Sequence, residues 1–428
     1  MQAASLERAR LLREPNFRWL MGGGLISALG DQFTLIALPW LVLTTTGNAL
    51  QLGLVIALMS IPRALFILVG GALVDRYSPK SVLMLSKFAN AILLAILAAL
   101  VFSSSVSMPA IYLLAFGLGL ASAFGIPSGT SMLPHVVAPE QLPMANGVMM
   151  GMRQLTMLSG PLLAALVFAV WGDGSGSKPG AASGIGIAFA FDCLSFVVSA
   201  WTLDKVRLHA APKHATAEGV WRAIGAGLQM VWRDMSLRVC IMYWALCAFI
   251  VGGTMQVALP VLAESRLGGA AALGLIMGLH GAGSLLGMGL SAASARWKFF
   301  RLASFGGTIL VVDAIAGALL MGMAVIHSTW QAGAFMLLLG LLTGFIQVAV
   351  FSWIQQRVPR AMLGRAMSIF MFIFMGLAPL AAAITGALLA WLSLTGLFIG
   401  AGAFLLAAAS VAWLFTPMAR ITHGPAID

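Results

Sequence analysis

Long apolar runs separated by short polar breaks set the pattern of the chain. Runs of spanning length fall at roughly 19–44, 50–74, 82–102, 108–131, 143–171 and 184–204, and again at roughly 237–262, 271–295, 302–326, 331–356, 363–390 and 393–416. Each run can carry a helix across a hydrocarbon core about 30 Å thick. The spans fall as six and six around one long polar interval, Asp204–Asp234. That interval holds Lys205, Arg207, His209, Lys213 and His214, followed by an amphipathic stretch, Val220–Trp232. It predicts a linker and then a helix lying along a membrane face. The expected architecture is all-α: a polytopic membrane protein of twelve transmembrane helices in two pseudo-symmetric six-helix bundles. Residues 1–204 form the first bundle, 205–236 the linker with its amphipathic helix, and 237–428 the second bundle with a short tail.

Composition agrees with this class. Hydrophobic residues make up 61% of the chain and charged ones only 9%, against about a quarter charged in a soluble domain. The net charge of +11 would suggest nucleic acid in a soluble protein, but the loops account for it. With the N-terminus inside, the inner segments take the four arginines Arg8, Arg10, Arg13 and Arg18, the elbow residues Arg76, Lys80 and Lys87, the basic residues of the linker, and Arg357, Arg360 and Arg365. The outer segments hold only Lys178 and Arg266. The positive-inside rule therefore places both termini and the linker in the cytoplasm, in a bacterial inner membrane, with no nucleic-acid partner. Tryptophans near the run ends, among them Trp40, Trp171, Trp330 and Trp391 outside and Trp19, Trp201, Trp353 and Trp413 inside, predict two interfacial belts. The first run is too long for a signal-peptide core and lacks a clear cleavage site, so it is expected to remain as a span. Cys193, Cys240 and Cys247 lie inside apolar runs without metal-type spacing and read as small apolar residues, with no metal or cofactor implied.

The breaks carry a repeat. Val136-Val137-Ala138-Pro139 corresponds to Gln356-Arg357-Val358-Pro359, a shift of 220 residues between Pro139 and Pro359. The same shift carries Arg76 to Arg296 and brings Pro161 beside Pro379. Such internal doubling is typical of secondary transporters.

Between the second and third runs lies the turn-rich segment Gly70–Lys80, an elbow at the inner surface. Its residues Gly71-Ala72-Leu73-Val74-Asp75-Arg76-Tyr77-Ser78-Pro79-Lys80 resemble the inner-loop signature of the major facilitator superfamily, with Ser78 and Pro79 where a glycine and a basic residue are usual. Gly160-Pro161 is similar to that superfamily's antiporter motif, with Ala164 and Ala165 where paired glycines are common. Gly30-Asp31, Ala37-Leu38-Pro39-Trp40, Leu133-Pro134, Ala145-Asn146-Gly147 and Leu363-Gly364-Arg365 add to the likeness, which resembles the branch of macrolide-efflux pumps and the enterobactin exporter. The resemblance implies alternating access, with Gly71, Asp75, Arg76, Lys80, Gly160 and Pro161 as gating residues. For Arg76 and Lys80, spacing alone supports only a place near anionic headgroups; the resemblance favours Asp75 as the gate. It also implies that spans one, four, seven and ten line a cavity, nominating Gln32, Gln256, Gln347 and Phe351 for an amphipathic small molecule. The fourth run, Tyr112–Ser131, is uncharged and lacks the arginine of many drug antiporters.

Charges within spans are the remaining candidates for chemistry. Asp31, Arg63, Arg153, Asp192 and Asp313 lie about 15–18 Å from their inner ends at about 1.5 Å per residue. An isolated charge at that depth costs on the order of 3 kcal/mol, so partners or water are required. Asp31 and Arg63 lie at matching depth on adjacent antiparallel spans and are expected to pair. Two readings stay open: Asp31 is a proton-accepting carboxylate for energy coupling, or the two form a permanent ion pair that never titrates. Arg153 and Asp192 form a second expected pair, structural or coupling. Asp313 has no obvious basic neighbour and reads as structural, as does His280 among Gly278, Gly281 and Gly283.

These features predict a secondary active transporter, monomeric, using the proton gradient and no cofactor. Proton-coupled efflux of amphipathic drugs or of an endogenous product such as a siderophore leads. The alternatives are an importer or lysolipid translocator of the same fold, or a non-transporting membrane sensor. An enzyme is not expected: no nucleophile with its base, metal cluster or phosphate-cradling loop is visible.

Overall fold

The computed structural model describes residues 11–76, 78–138, 141–172, 183–208, 220–294, 304–358 and 377–422. They are helical, with no strand among them. Six long helices come first: α1 (Pro15–Thr46), α2 (Ala49–Arg76), α3 (Pro79–Phe102), α4 (Met108–Met132), α5 (Leu142–Trp171) and α6 (Ser183–Lys205). Proline stands in the first turn of α1, α3, α4 and α5, where its missing N–H costs nothing. The amphipathic stretch forms α7 (Val220–Arg233). The second half holds α8 (Met235–Gly253), α9 (Leu259–Arg266), α10 (Ala270–Ser294), α11 (Phe305–Met323), α12 (Thr329–Arg357), α13 (Ala378–Leu388) and α14 (Leu394–Phe415). Among the described residues ten helices are long and apolar enough to cross a membrane. Residues 363–376 of the expected eleventh span lie outside the described residues, as do Pro139, Arg296 and the tip of the elbow at Tyr77.

The expected seventh span is interrupted. A π-helical turn, Thr254–Ala258, separates α8 from α9 and contains Gln256. Pro260 explains the widening, because it has no N–H for the carbonyl one turn before it.

The chain divides into two compact units, residues 1–213 with 268–278, and residues 214–267 with 279–428. In the first, α1 packs along α6, α2 along α4, and α3 against both α4 and α6. Leu11, Phe17, Leu83, Met132, Leu133, Val136, Ala145, Leu203 and Val206 form an apolar plug where five of these helices begin or end. This end carries most of the lysines and arginines and is called the basic end below. In the second, α11 packs on α14 and α12, and α8 on α13. Its basic end is closed by the short turn Pro417–Arg420, with Met418 fully buried.

Two tryptophans assigned to interfacial belts belong to the core instead. Trp40 is 1% exposed, and Trp353 is 3% exposed, stacked on Phe305 and donating to the Thr422 carbonyl at 3.1 Å. Position along a span cannot tell which face a residue occupies. Trp330 and Trp391, at 73% and 89% exposed, stand on the outside as an interfacial ring requires.

Candidate functional site

The charged residues of the first unit converge, though not in the expected pairs. Asp31 of α1 is exposed halfway along its helix. Three cations act on its carboxylate: Lys87 of α3 most strongly, then Arg63 of α2 and Arg153 of α5. Asp192 of α6 feels the Asp31 charge in turn. Five charges from five helices thus share one electrostatic cluster. A charge facing hydrocarbon at this depth costs on the order of 3 kcal/mol, which favours water over lipid on the side where Asp31 and Arg153 are exposed.

No direct ion pair forms within the cluster. Among the described residues the only carboxylate and cation within 4.0 Å are Asp234 and Arg357, in the second unit. The expected Asp31–Arg63 contact is therefore absent, and the Nε of Arg63 is buried without a hydrogen-bond partner. Asp192 does not pair with Arg153 either. It accepts hydrogen bonds from Thr34 Oγ1 at 2.5 Å and Ser195 Oγ at 3.1 Å. Matching depth placed the residues at one level but could not fix their azimuth about each helix.

Lys87 was assigned to an inner loop, and here the structure corrects the sequence reading. It lies eight residues into α3, about 12 Å along the axis, and is 7% exposed. Its ammonium donates to Ser199 Oγ at 2.5 Å and to Ser27 Oγ at 3.3 Å, joining α3 to α6 and α1. Counting depth from Pro79 rather than from the first apolar residue would have revealed it.

Those serines belong to a polar seam. Ser27, Asp31 and Thr34 on α1 repeat at four and three residues, and so do Ser199, Ser195 and Asp192 on antiparallel α6. Glycine makes the approach close enough for these short side chains to meet. A Cβ at Gly23 would come within 2.0 Å of Thr202 Oγ1, and one at Gly30 within 2.2 Å of Ser195 Oγ. Gly160 likewise admits Gln32: a Cβ there would lie 2.4 Å from Gln32 Cβ. Gly160 and Pro161 are buried inside α5.

Of the other elbow residues, Gly71, Asp75 and Arg76 fall in the last turns of α2, and their side chains lie outside the described residues. Lys80 is described. Its ammonium donates to the carbonyls of Asp204 and Val206 at 2.8 Å each, capping the end of α6, where carbonyls lack helical partners.

In the second unit, Gln256, Gln347 and Phe351 are half-buried. Asp313 is 8% exposed and accepts from the Cys247 thiol at 3.7 Å, with the buried Tyr243 hydroxyl nearby. His280 Nε2 lies 3.5 Å from Thr343 Oγ1. Asp234 escaped the sequence reading. It caps α8, accepting from the amides of Ser236 and Leu237 at 2.9 and 3.1 Å, and binds Arg357 through Nε at 2.7 Å and Nη2 at 3.0 Å. The repeat shift offered a signal, since 220 residues before Asp234 stands Glu14, the residue preceding α1.

Known proteins resemble the chain along most of its length. The sequence model of the Major Facilitator Superfamily matches residues 20–379. The enterobactin exporter EntS of Salmonella typhimurium (strain LT2) is 25% identical over 368 residues, covering 85% of this chain and 83% of that one. The multidrug efflux pump Tap of Mycolicibacterium fortuitum is 28% identical over 224 residues, covering 51% of this chain and 53% of the pump. Among solved structures, a D-xylose–proton symporter superimposes with a TM-score of 0.70 at 14% identity, covering 95% of this chain and 98% of the symporter, a likeness of fold. The chain, a multi-pass membrane protein of paired helical bundles, belongs to the Major Facilitator Superfamily of transporters.

Proposed function

We infer that the chain is a proton-coupled exporter that works by alternating access and carries amphipathic molecules, drugs or an endogenous product such as a siderophore, out across a bacterial inner membrane. The single observation carrying the coupling is Asp31, a carboxylate exposed at mid-span and held by no direct ion pair among the described residues. A carboxylate locked to Arg63 could not exchange its proton during a cycle; one surrounded by cations at a distance can. The relatives' roles as an enterobactin exporter and a multidrug efflux pump support the outward direction. No observation favours an importer, a lysolipid translocator or a non-transporting sensor.

In this reading the basic end faces the cytoplasm, both termini lie there, and residues 205–236 link bundles 1–204 and 237–428 in a monomer. Asp75 and Arg76 gate the basic end with Lys80, and Gly160 and Pro161 serve the same movement. Gln32, Gln256, Gln347 and Phe351 line the substrate path. Asp31 takes a proton from the outer side and releases it inside, while Arg153 and Asp192 tune the exchange. One proton crossing about 100 mV yields about 2.3 kcal/mol, enough to hold about a fiftyfold substrate gradient.

The test is accumulation of Nile red, a neutral amphipathic dye, in everted membrane vesicles energised by respiration. The wild-type protein is expected to load the dye and to lose that loading when a protonophore is added. Asp31→Asn should lower it at least about tenfold. Full proton-driven loading by Asp31→Asn at equal expression overturns the coupling role.

A further inference from the structure

Among the described residues Lys87 is the one buried intramembrane lysine or arginine, at 7% exposed, and the exporter reading assigns it no task. We propose that Lys87 is the positioning residue of the coupling step: tethered by Ser27 and Ser199, its ammonium balances Asp31 each time that carboxylate gives up its proton. The inference rests on the exporter reading and deepens it.

The geometry carries the argument. An ammonium has three N–H donors, and two of them are taken, by Ser199 Oγ at 2.5 Å and Ser27 Oγ at 3.3 Å. Both acceptors are neutral hydroxyls, and the Phe196 ring 5.7 Å from the ammonium offers only its neutral face, so no anion among the described residues within 4.0 Å balances the charge in a site 7% exposed. Ser27 stands four residues before Asp31 on α1, one turn away, so the tether holds the ammonium against the helix that carries the carboxylate while the two stay more than 4.0 Å apart. Of the cations acting on Asp31, Lys87 acts most strongly. Lys87 is 7% exposed, so its charge is screened by water less than that of the exposed Arg153.

Asp31 comes from α1, Arg63 from α2, Lys87 from α3, Arg153 from α5 and Asp192 from α6, while α4 brings no charge to this level. Asp192 is already served by Thr34 and Ser195, which leaves Asp31 as the carboxylate of the cluster without a hydrogen-bonded partner among the described residues. In the step, Asp31 passes its proton to water on its exposed side and becomes a carboxylate. Lys87 remains an ammonium throughout, and no proton moves between the two. Ser27 and Ser199 keep the charge within reach while preventing a permanent pair, which would freeze the exchange.

The experiment measures protons released when Nile red binds to the purified full chain in weakly buffered detergent, using a pH-sensitive dye and counting bound Nile red in parallel. Wild type is expected to release protons on binding; if it binds the dye and releases none, the exporter reading itself fails. Lys87→Met, uncharged and similar in length, should still bind Nile red but release at least about fivefold fewer protons per bound dye, and Lys87→Arg should restore release. Ser199→Ala, which leaves the charge and removes one tether, should lower release about twofold and guards against Lys87→Met failing to fold. Wild-type release per bound dye in both Lys87→Met and Ser199→Ala overturns the proposal. So does loss of dye binding in a folded Lys87→Met, which would make the residue structural.

Discussion

Asp234 shows how much one carboxylate can organise. It starts α8, holds the end of α12 through Arg357, and through Arg357 reaches the face of Trp353, whose ring centre lies 5.4 Å from the guanidinium. Burial alone would push its carboxyl up. The Arg357 hydrogen bond, the Leu237 amide, the Arg357 charge and the Ser236 amide together outweigh burial and hold it below the usual carboxylate range. A group whose folded value is depressed stabilises the fold above its unfolded value of about 3.9 and loses that contribution as pH falls through the folded value. Asp234→Asn keeps the cap but not the ion pair, so it should lower stability by about 1 kcal/mol at neutral pH, a figure already discounted for partial exposure. Thermal unfolding in detergent should show the two proteins separated at pH 7 and converging toward pH 3. Residue by residue, the mid-span charges Asp31, Arg63, Arg153, Asp192 and Asp313 were legible because hydropathy marks a charge in an apolar run. Their partners were not, because a one-dimensional pattern gives depth and says little about which neighbour a side chain meets.

At the scale of elements, the α1–α6 seam sets the first unit's geometry. Gly30 is the position to test, because a side chain there would strike Ser195 and Asp192. Gly30→Leu should cost about 1–3 kcal/mol and lower the unfolding temperature, whereas Gly22→Leu, on the same helix but with nothing within 4 Å, should change it little. Equal effects of the two substitutions would mean that the seam is looser than described. The span positions themselves were readable: α3, α4, α5, α6 and α14 begin and end within a few residues of the hydropathy limits. The π-turn at Thr254–Ala258 was not, although Pro260 lay in plain view, because a proline tells that a ladder must break and leaves open how the helix absorbs it. Trp40 and Trp353 misled for a related reason: an aromatic residue near the end of a run suits an interface and a packed helix end equally well.

For the molecule as a whole, orientation is the statement most open to direct measurement. Ser78 lies at the basic end and Ser105 at the opposite end of α3, and both are exposed. With the basic end in the cytoplasm, Ser105→Cys should react with a membrane-impermeant maleimide added to intact cells, and Ser78→Cys only after the cells are broken, in a background where Cys193, Cys240 and Cys247 are replaced. The reverse pattern inverts the topology. The division into two units also bears on how the protein is made. Helices α1, α2, α3 and α5 each enter the bilayer carrying a charge that costs on the order of 3 kcal/mol when alone. Lys87 meets Ser199 only after another 112 residues have been synthesised. The early helices therefore gain their full hydration substitute only when α6 arrives, and the insertion machinery or an associated chaperone has to retain them together until then. A nascent chain arrested before Ser183 should stay crosslinkable to that machinery, and one extended past Lys205 should be released into lipid as a bundle.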